Sequence, residues 1–139
     1  MISEVRPYFR RIMKELGFEE WRRSLEPDNM PKTQIKNLFH MKTGSISGIK
    51  QNQRDVEVGV PITVTFATKA IADEAAAYEK AEETIERIVI EALDPVTRGL
   101  SPLITRIAFN SAEPEALATS NDNVLLSRVN FTAYGSLEV

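Results

Sequence analysis

The sequence predicts an α+β fold: a two-layer domain over residues 1–139, in which helices pack on one face of a mostly antiparallel four-stranded sheet. Apolar residues recur at helical spacing in two segments and alternate with polar residues in four others. These segments follow one another in the order helix, hairpin, helix, hairpin. Because strands with one apolar face need a cover, the two amphipathic helices are expected to provide it.

The two main helices are predicted at the N-terminus and over residues 73–93. In the first, apolar residues three and four positions apart lead up to Gly17, which can take the left-handed conformation that ends a helix. Pro7 lacks an amide hydrogen, so the regular part of this helix is expected to begin near Arg6. A short further helix is predicted over residues 18–25, because their apolar residues briefly repeat the helical spacing.

Four strands are predicted, and the clearest spans residues 56–66, where every even-numbered residue is apolar. Pro61 lies on its polar face. Since proline cannot donate to a sheet, this strand is expected at an edge, or with a bulge at its middle. The other strands are predicted at residues 35–43, 103–109 and 129–139, and polar loops at residues 27–33, 44–54 and 110–123.

Composition narrows the function classes. Hydrophobic residues make up 42% of the chain and charged residues 27%, which is typical of a globular protein. No apolar run approaches the roughly 18 residues of a membrane-spanning helix, and the N-terminal residues interleave charges with apolar side chains. We therefore expect neither a membrane segment nor a secretory signal. The chain has no cysteine, which excludes disulfides, thiolate nucleophiles and thiolate metal sites.

Charge is distributed unevenly along the chain. Residues 1–54 contain 11 Lys and Arg against 6 Asp and Glu, a net charge of +5, whereas residues 55–139 contain 6 against 14, a net charge of −8. The overall charge of −3 disfavours a surface that binds nucleic acid everywhere. The asymmetry fits either a nucleic-acid-binding arm or contacts between the basic region of one copy and the acidic region of the next.

Residues 44–48 read Gly-Ser-Ile-Ser-Gly and match the nucleophile elbow of serine hydrolases at Ser47. An elbow requires a helix directly after the serine and a histidine later in the chain. Residues 49–54 lack helical periodicity, and the single histidine, His40, precedes the serine. We therefore predict a glycine-hinged loop and no catalytic residue, with a triad of Asp28, His40 and Ser47 as the hydrolase alternative. A lone histidine without cysteine also predicts no metal site, and without a glycine-rich phosphate-binding motif no cofactor is expected.

The best candidate binding surface is a basic strip, since residues 29–54 contain five Lys and Arg and no acidic residue. Nucleic-acid binding favours cations beside stacking aromatic rings, and Phe39 is the single aromatic residue in the strip. A docking surface for an acidic protein partner is therefore preferred, and a small nucleic-acid-binding module is kept as an alternative. The cations Lys42, Lys50 and Arg54 and the apolar anchors Ile46 and Ile49 are its candidate residues.

The order of the predicted helices and strands, and their pattern of apolar and polar residues, resemble those of the tail terminator, or tail completion, proteins of long-tailed bacteriophages of the lambda type. The likeness lies in an N-terminal helix (VRPYFRRIMKEL), a hairpin whose second strand leads directly into a helix (VEVGVPITVTFATKA, then DEAAAYEKAEETIERIVIEAL) and a last hairpin that ends on the final residues (LLSRVNFTAYGSLEV). The resemblance implies a structural virion protein without enzymatic activity, assembled in the host cytoplasm. Such proteins form a ring, usually of six copies, that caps the tail tube, stops its polymerisation and joins the tail to the head.

The resemblance also implies partners: further copies of the chain, the tail tube protein and the head-tail connector or neck proteins. Phage DNA would pass through the lumen without specific binding. The basic strip is then expected at an interface, together with the acidic residues Glu113 and Glu115, because opposite charges favour head-to-tail contacts. Residues 18–33, which include Trp21, are additional to the family pattern and leave a neighbouring neck protein as an alternative.

Overall fold

The structure is a computed structural model that describes residues 1–21, 37–69, 74–118 and 121–138. Helices α1 and α2 lie on one face of the sheet, here the inner face, and the opposite face is the outer face. None of the described helices is long and apolar enough to cross a membrane. The described elements are α1 (Ile2–Glu15), β1 (Glu19–Glu20), β2 (Leu38–Thr43), β3 (Ser47–Gln51), β4 (Asp55–Lys69), α2 (Glu74–Leu93), α3 (Pro95–Gly99), β5 (Ile104–Ala118) and β6 (Asn121–Glu138).

The strands form one mixed sheet in the order β1-β2-β4-β6-β5, and β3 pairs with β4 beyond the end of β2. β1 runs parallel to β2, and the other pairings are antiparallel. The prediction of a mostly antiparallel four-stranded sheet in the order helix, hairpin, helix, hairpin is therefore wrong. The described residues form an α+β fold with six strands and three helices, because two short segments without a clear sequence period complete the edges of the sheet.

β1 occupies the start of the segment that is predicted as a short helix over residues 18–25. Gly17 has a φ angle of 93°, so the chain leaves α1 through a left-handed turn. Backbone hydrogen bonds of 2.9 and 2.8 Å then join the amides of Glu19 and Trp21 to carbonyl groups at the free side of β2. The helix prediction is wrong here because β2 offers these partners; residues 22–25 and the loop at residues 27–33 lie outside the described residues.

Pro61 stands inside the sheet. β4 pairs with β6 along its whole length, and on its other side with β2 at residues 62–67 and with β3 at residues 56–59. The prediction of an edge strand or of a bulge in β4 is therefore wrong. β4 tolerates the proline because Pro61 lies between the residues that pair with β2 and those that pair with β3. Its carbonyl oxygen accepts a 2.9 Å hydrogen bond from the Gly44 amide. The amide hydrogen that proline lacks would point toward this same space between the two strands, so no ladder hydrogen bond is lost.

The last two strands are longer than alternation alone predicts. β5 and β6 form a hairpin of 15 and 18 residues. The prediction of a loop is wrong for residues 110–118 and 121–123, which belong to these strands, while residues 119–120 lie outside the described residues. Pairing with β4 at residues 124–138 extends β6, and β5 follows β6.

A register shift changes which residues of β5 face the core. One extra residue lies in β5 between Ile104 and Arg106, relative to its neighbours in β6. Ile104 and Ile107 consequently both face inward and are buried, although they are three residues apart. Leu103, which alternation assigns to the buried face, is 51% exposed.

The core lies between the inner face of the sheet and helices α1 and α2. Alternation over β4 and β6 directs apolar side chains inward, as predicted, and these are buried. The Phe9 ring of α1 lies 4.9 Å from the Phe131 ring of β6, so elements from both ends of the chain meet at the centre. Buried residues of these strands include Val58, Val60, Ile62, Val64, Phe66, Val129, Phe131 and Ala133.

The two long helices lie where they are predicted, except for the start of α1. Helix α2 lies within the predicted range 73–93, and its stripe of Ala81, Ile88 and Ala92 is buried. Helix α1 begins at Ile2, so the expectation of a start near Arg6 is wrong. The helix tolerates Pro7 in its second turn because burial of the preceding turn against the sheet stabilises it.

Tyr8 links the two long helices, and the burial of its hydroxyl group leads us to expect a loss of stability at alkaline pH. Its hydroxyl donates a 2.6 Å hydrogen bond to the carbonyl oxygen of Ala92, and burial raises the pKa of Tyr8 to about 12. The native state therefore keeps a proton that the unfolded chain releases near pH 10. This contribution to stability is complete below about pH 10 and is lost as the pH rises through 12.

Urea denaturation between about pH 8 and pH 12 should accordingly show a steeper fall in the free energy of unfolding for the wild type than for Tyr8→Phe. The difference is expected to be on the order of 1–3 kcal/mol. Comparing the two proteins removes the titration that they share, from lysines and the other tyrosines. Parallel curves would contradict a buried Tyr8 hydroxyl.

Candidate functional site

Residues 37–54 of the basic strip lie along one side of the sheet, whereas residues 29–36, with Lys32 and Lys36, lie outside the described residues. β2 ends at Thr43, the chain bends at Gly44, and β3 then continues along β4. The prediction of a loop over residues 44–54 is therefore wrong at residues 47–51, which form a strand. Every residue of β3 is exposed, and Ile46 and Ile49 are 45% and 54% exposed. We call Lys42, Ile46, Ile49, Lys50 and Arg54 the edge surface.

The turn that closes the edge surface is held by one side chain. The Asn52 carboxamide oxygen accepts hydrogen bonds from the amides of Arg54 (2.9 Å) and Asp55 (2.8 Å). The backbone amide of Asn52 donates a 3.0 Å hydrogen bond to the backbone carbonyl oxygen of Asp55. Such bonding from asparagine to the following backbone stabilises a tight turn, so Arg54 is presented at a defined position next to β3.

Ile49 lies on the outer face, beside Tyr134. A Cβ atom built on Gly59 would lie 3.4 Å from the Ile49 Cδ1 atom and 3.3 Å from the Tyr134 Cε1 atom, so both side chains converge above this glycine. The Arg106 guanidinium stacks on the same tyrosine, with Cζ 3.9 Å from the ring centroid. Isoleucine, tyrosine and arginine thus form a row across β3, β4, β6 and β5.

The cations of the edge surface have no ion-pair partner among the described residues. Lys50 stands in register with Glu57 and Lys42 with Thr63, but neither lysine nor Arg54 forms an ion pair with a described side chain. Their charges are therefore available to a partner. The exposed isoleucines between them supply apolar contact area, and this combination is typical of protein interfaces.

Glu113 lies far from the edge surface within one chain. It is exposed on β5 in register with Arg128, and β4 and β6 separate it from β2. At about 4.8 Å per strand, the two edges of the sheet are some 14 Å apart. The structure therefore does not bring Glu113 together with Lys42 in a single copy. Glu115 belongs to β5, but its side chain lies outside the described part of the chain.

The middle of the outer face is polar and internally bonded, whereas one end of it carries a small buried apolar cluster of Leu38, Ala67, Val124 and Leu126 that packs against Trp21. The Thr63 hydroxyl donates to the Asn130 carboxamide oxygen (2.7 Å), and the Asn130 amide group donates to the Ser111 hydroxyl (3.0 Å). One row of side chains thus joins β4, β6 and β5. Because these groups satisfy one another, they stabilise the sheet and leave the charged and apolar residues at its edges as the distinctive surface features.

Ser47 has no elbow geometry. It begins an edge strand, and the residues after it form β3 and a turn rather than a helix. His40 pairs with Thr65 on β4 and Ser47 pairs with Gly59, which places them roughly 20 Å apart along the strand. The His40 Nδ1 atom instead lies 3.2 Å from a carbonyl oxygen, that of Trp21. Asp28, the third residue of the alternative triad, lies outside the described residues.

A second exposed apolar surface surrounds α3, and sequence periodicity does not predict it. Asp94 caps this helix by accepting a 2.8 Å hydrogen bond from the Val96 amide, and Pro95 occupies its first position. Val96 and Leu100 are 77% and 63% exposed. We call the exposed residues Ile90, Leu93, Val96, Leu100 and Leu103 the α3 surface. The sequence signal that could have revealed this surface is the Asp94-Pro95 pair, which is typical of a helix start. The helix that follows is too short to bury an apolar face.

Comparison with known proteins does not assign the chain to a family. A scan against models of protein families found no match, and a search of curated proteins found no significantly similar sequence. The function is therefore inferred from these two surfaces, from the charge distribution and from the resemblance in sequence pattern.

Proposed function

We propose that this chain is a structural protein of a phage tail, a tail terminator that forms a ring on the finished tail tube, stops its polymerisation and presents a surface to the head. The observation that carries the proposal is the edge surface. Ile49 and Lys50 lie on β3, Ile46 and Arg54 flank this strand, and no described strand pairs with its outer side. A surface of this kind fits binding to a protein partner.

The uncovered strand itself supports an assembly function. An exposed strand edge presents backbone donors and acceptors that can pair with another chain, and monomeric proteins usually block such edges with charge. Here Lys50 and the neighbouring Arg54 supply charge, while Ile46 and Ile49 add exposed apolar area. The edge thus resists unspecific pairing and favours a partner that brings acidic groups and an apolar surface.

The sequence resemblance selects the tail terminator among assembly proteins. Its three quoted segments correspond to α1, to β4 followed by α2, and to β6, which are the elements that build the core. The opposite charges of the two parts of the chain support head-to-tail contacts between copies, which form a ring where the rotation between neighbours closes and a filament where it does not. A head-tail connector or neck protein is the alternative within the same class.

Mass spectrometry of purified virions from the phage that encodes this chain should detect it in a few copies per particle. Deleting its gene should yield tails of uncontrolled length in electron micrographs, because nothing would stop tube growth. Normal tail lengths with missing heads would favour a neck protein instead, and absence from virions would contradict both. Salt-sensitive binding of single-stranded DNA, lost when Lys42, Lys50 and Arg54 are replaced, would favour the nucleic-acid-binding alternative.

A further inference from the structure

We propose that the edge surface of one copy docks on the α3 surface of a second copy, so that identical chains join head to tail. The inference rests on the ring in the proposed function and identifies the two surfaces that meet in it. It follows from where the exposed apolar side chains lie, from their charged surroundings and from their positions on opposite sides of the sheet.

Exposed apolar residues are concentrated in these two surfaces. Of the eight large apolar side chains exposed in the described part of the chain, two belong to the edge surface and five to the α3 surface. The remaining one, Phe109, contacts the core through a ring-to-ring distance of 5.8 Å to Phe131. Concentrated apolar exposure marks an interaction site, and two such sites on one chain need either two partners or each other.

Charge favours their pairing with each other. Residues 42–54 contain three cations and no acidic residue, for a net charge of +3. Residues 86–99, which form the end of α2 and α3, contain three acidic residues and two basic ones, for a net charge of −1. Glu86, Glu91 and Asp94 lie in the same segment as the exposed apolar residues. Each surface thus offers apolar area together with charge that complements the other surface.

The positions of the two surfaces make the contact a heterologous one. β3 lies beside β4 at one side of the sheet, whereas α3 contacts α2 and β5 at the other side. A symmetric dimer through the edge surface would bring two positively charged strips together, which is unfavourable. A contact between unlike surfaces leaves one of each free on every pair, so further copies can add, and the ring of the proposed function requires a rotation between neighbours that closes.

Two aspartate substitutions test this arrangement. Ile49→Asp removes the edge surface and leaves the α3 surface intact, while Leu100→Asp does the reverse. Analytical ultracentrifugation should show the wild type as a closed oligomer and each variant as a monomer at the same concentration. Ala76→Asp is the matched control: it adds the same charge at an exposed position near the start of α2, remote from both surfaces, and should assemble like the wild type.

Mixing the two variants gives the decisive result. The intact edge surface of Leu100→Asp can dock on the intact α3 surface of Ile49→Asp, and no further contact can form, so an equimolar mixture should yield a heterodimer and nothing larger. Concentrations up to about 0.1 mM are needed, because a single contact lacks the avidity of a ring. Variants that remain monomeric when mixed, or that assemble alone, would overturn the pairing. The virion test of the proposed function is independent of either outcome.

Discussion

Replacing Phe131 with alanine is expected to lower the free energy of unfolding by about 3–5 kcal/mol. The ring is 1% exposed and packs against Phe9 at 4.9 Å and Phe109 at 5.8 Å. Phe131 also lies in β6 between β4 and β5, with Ile62 and Phe109 as its register partners. Strands on both sides limit collapse, so the cavity is expected to persist. Urea denaturation monitored by circular dichroism measures the loss.

Phe109→Ala provides the matched control for this substitution. It removes the same side chain from the neighbouring strand, but this ring is 42% exposed. Less apolar surface returns to water and solvent can fill the space, so a clearly smaller loss is expected. Since domains of this size are stable by only about 5–15 kcal/mol, the Phe131 variant should lose a large share of its stability. Equal losses at both positions would contradict a core centred on β6.

Ile49→Asp is expected to abolish self-assembly while leaving the fold intact. Ile49 is 54% exposed on an edge strand, so the substitution removes little buried area from the monomer. In a docked complex, the aspartate introduced at position 49 would bury its charge against apolar side chains of the partner, which is strongly unfavourable. The association constant should fall about 30-fold or more, which corresponds to a hot-spot loss of roughly 2 kcal/mol. Sedimentation velocity measures assembly, and the urea midpoint verifies folding.

Ser47→Ala is the control that tests whether assembly depends on the apolar side chains of this edge or on its serine. Ser47 lies in the same strand and is exposed, but it contributes little apolar area and has no elbow geometry. The variant should assemble and fold like the wild type. If Ser47→Ala disrupted assembly as strongly as Ile49→Asp, the role assigned to the isoleucines would be wrong, and β3 would act through its polar side chains.

Local periodicity predicts the elements that build the core. The alternation over residues 56–66 and the helical spacing over residues 73–93 correspond to β4 and α2, because each of these segments directs one apolar face toward the core. The exposure of Ile46 and Ile49 was also predicted from sequence, since both residues stand between cations. These features depend on residues close together in the chain, which is the information that a sequence pattern carries.

The features that sequence does not reveal depend on distant residues. Five residues without alternation become β3 because β4 continues past the end of β2 and offers unpaired backbone groups. The exposure of Leu103 depends on a register shift relative to β6, and the stack of Arg106 on Tyr134 depends on strand pairing. None of these contacts has a signature within a short window of sequence.

The change of neighbour at Pro61 divides this side of the sheet into one strand that is largely buried and one that is exposed. β2 contributes buried residues such as Phe39 and Met41 to the core, whereas β3 is exposed along its whole length and pairs with β4 on the other side of Pro61. Residues can be inserted, deleted or exchanged between Gly44 and Arg54 without altering the packing beneath the helices. Relatives of this chain can therefore diverge in their choice of partner at little cost to folding, and partner specificity can evolve on a scaffold that stays constant.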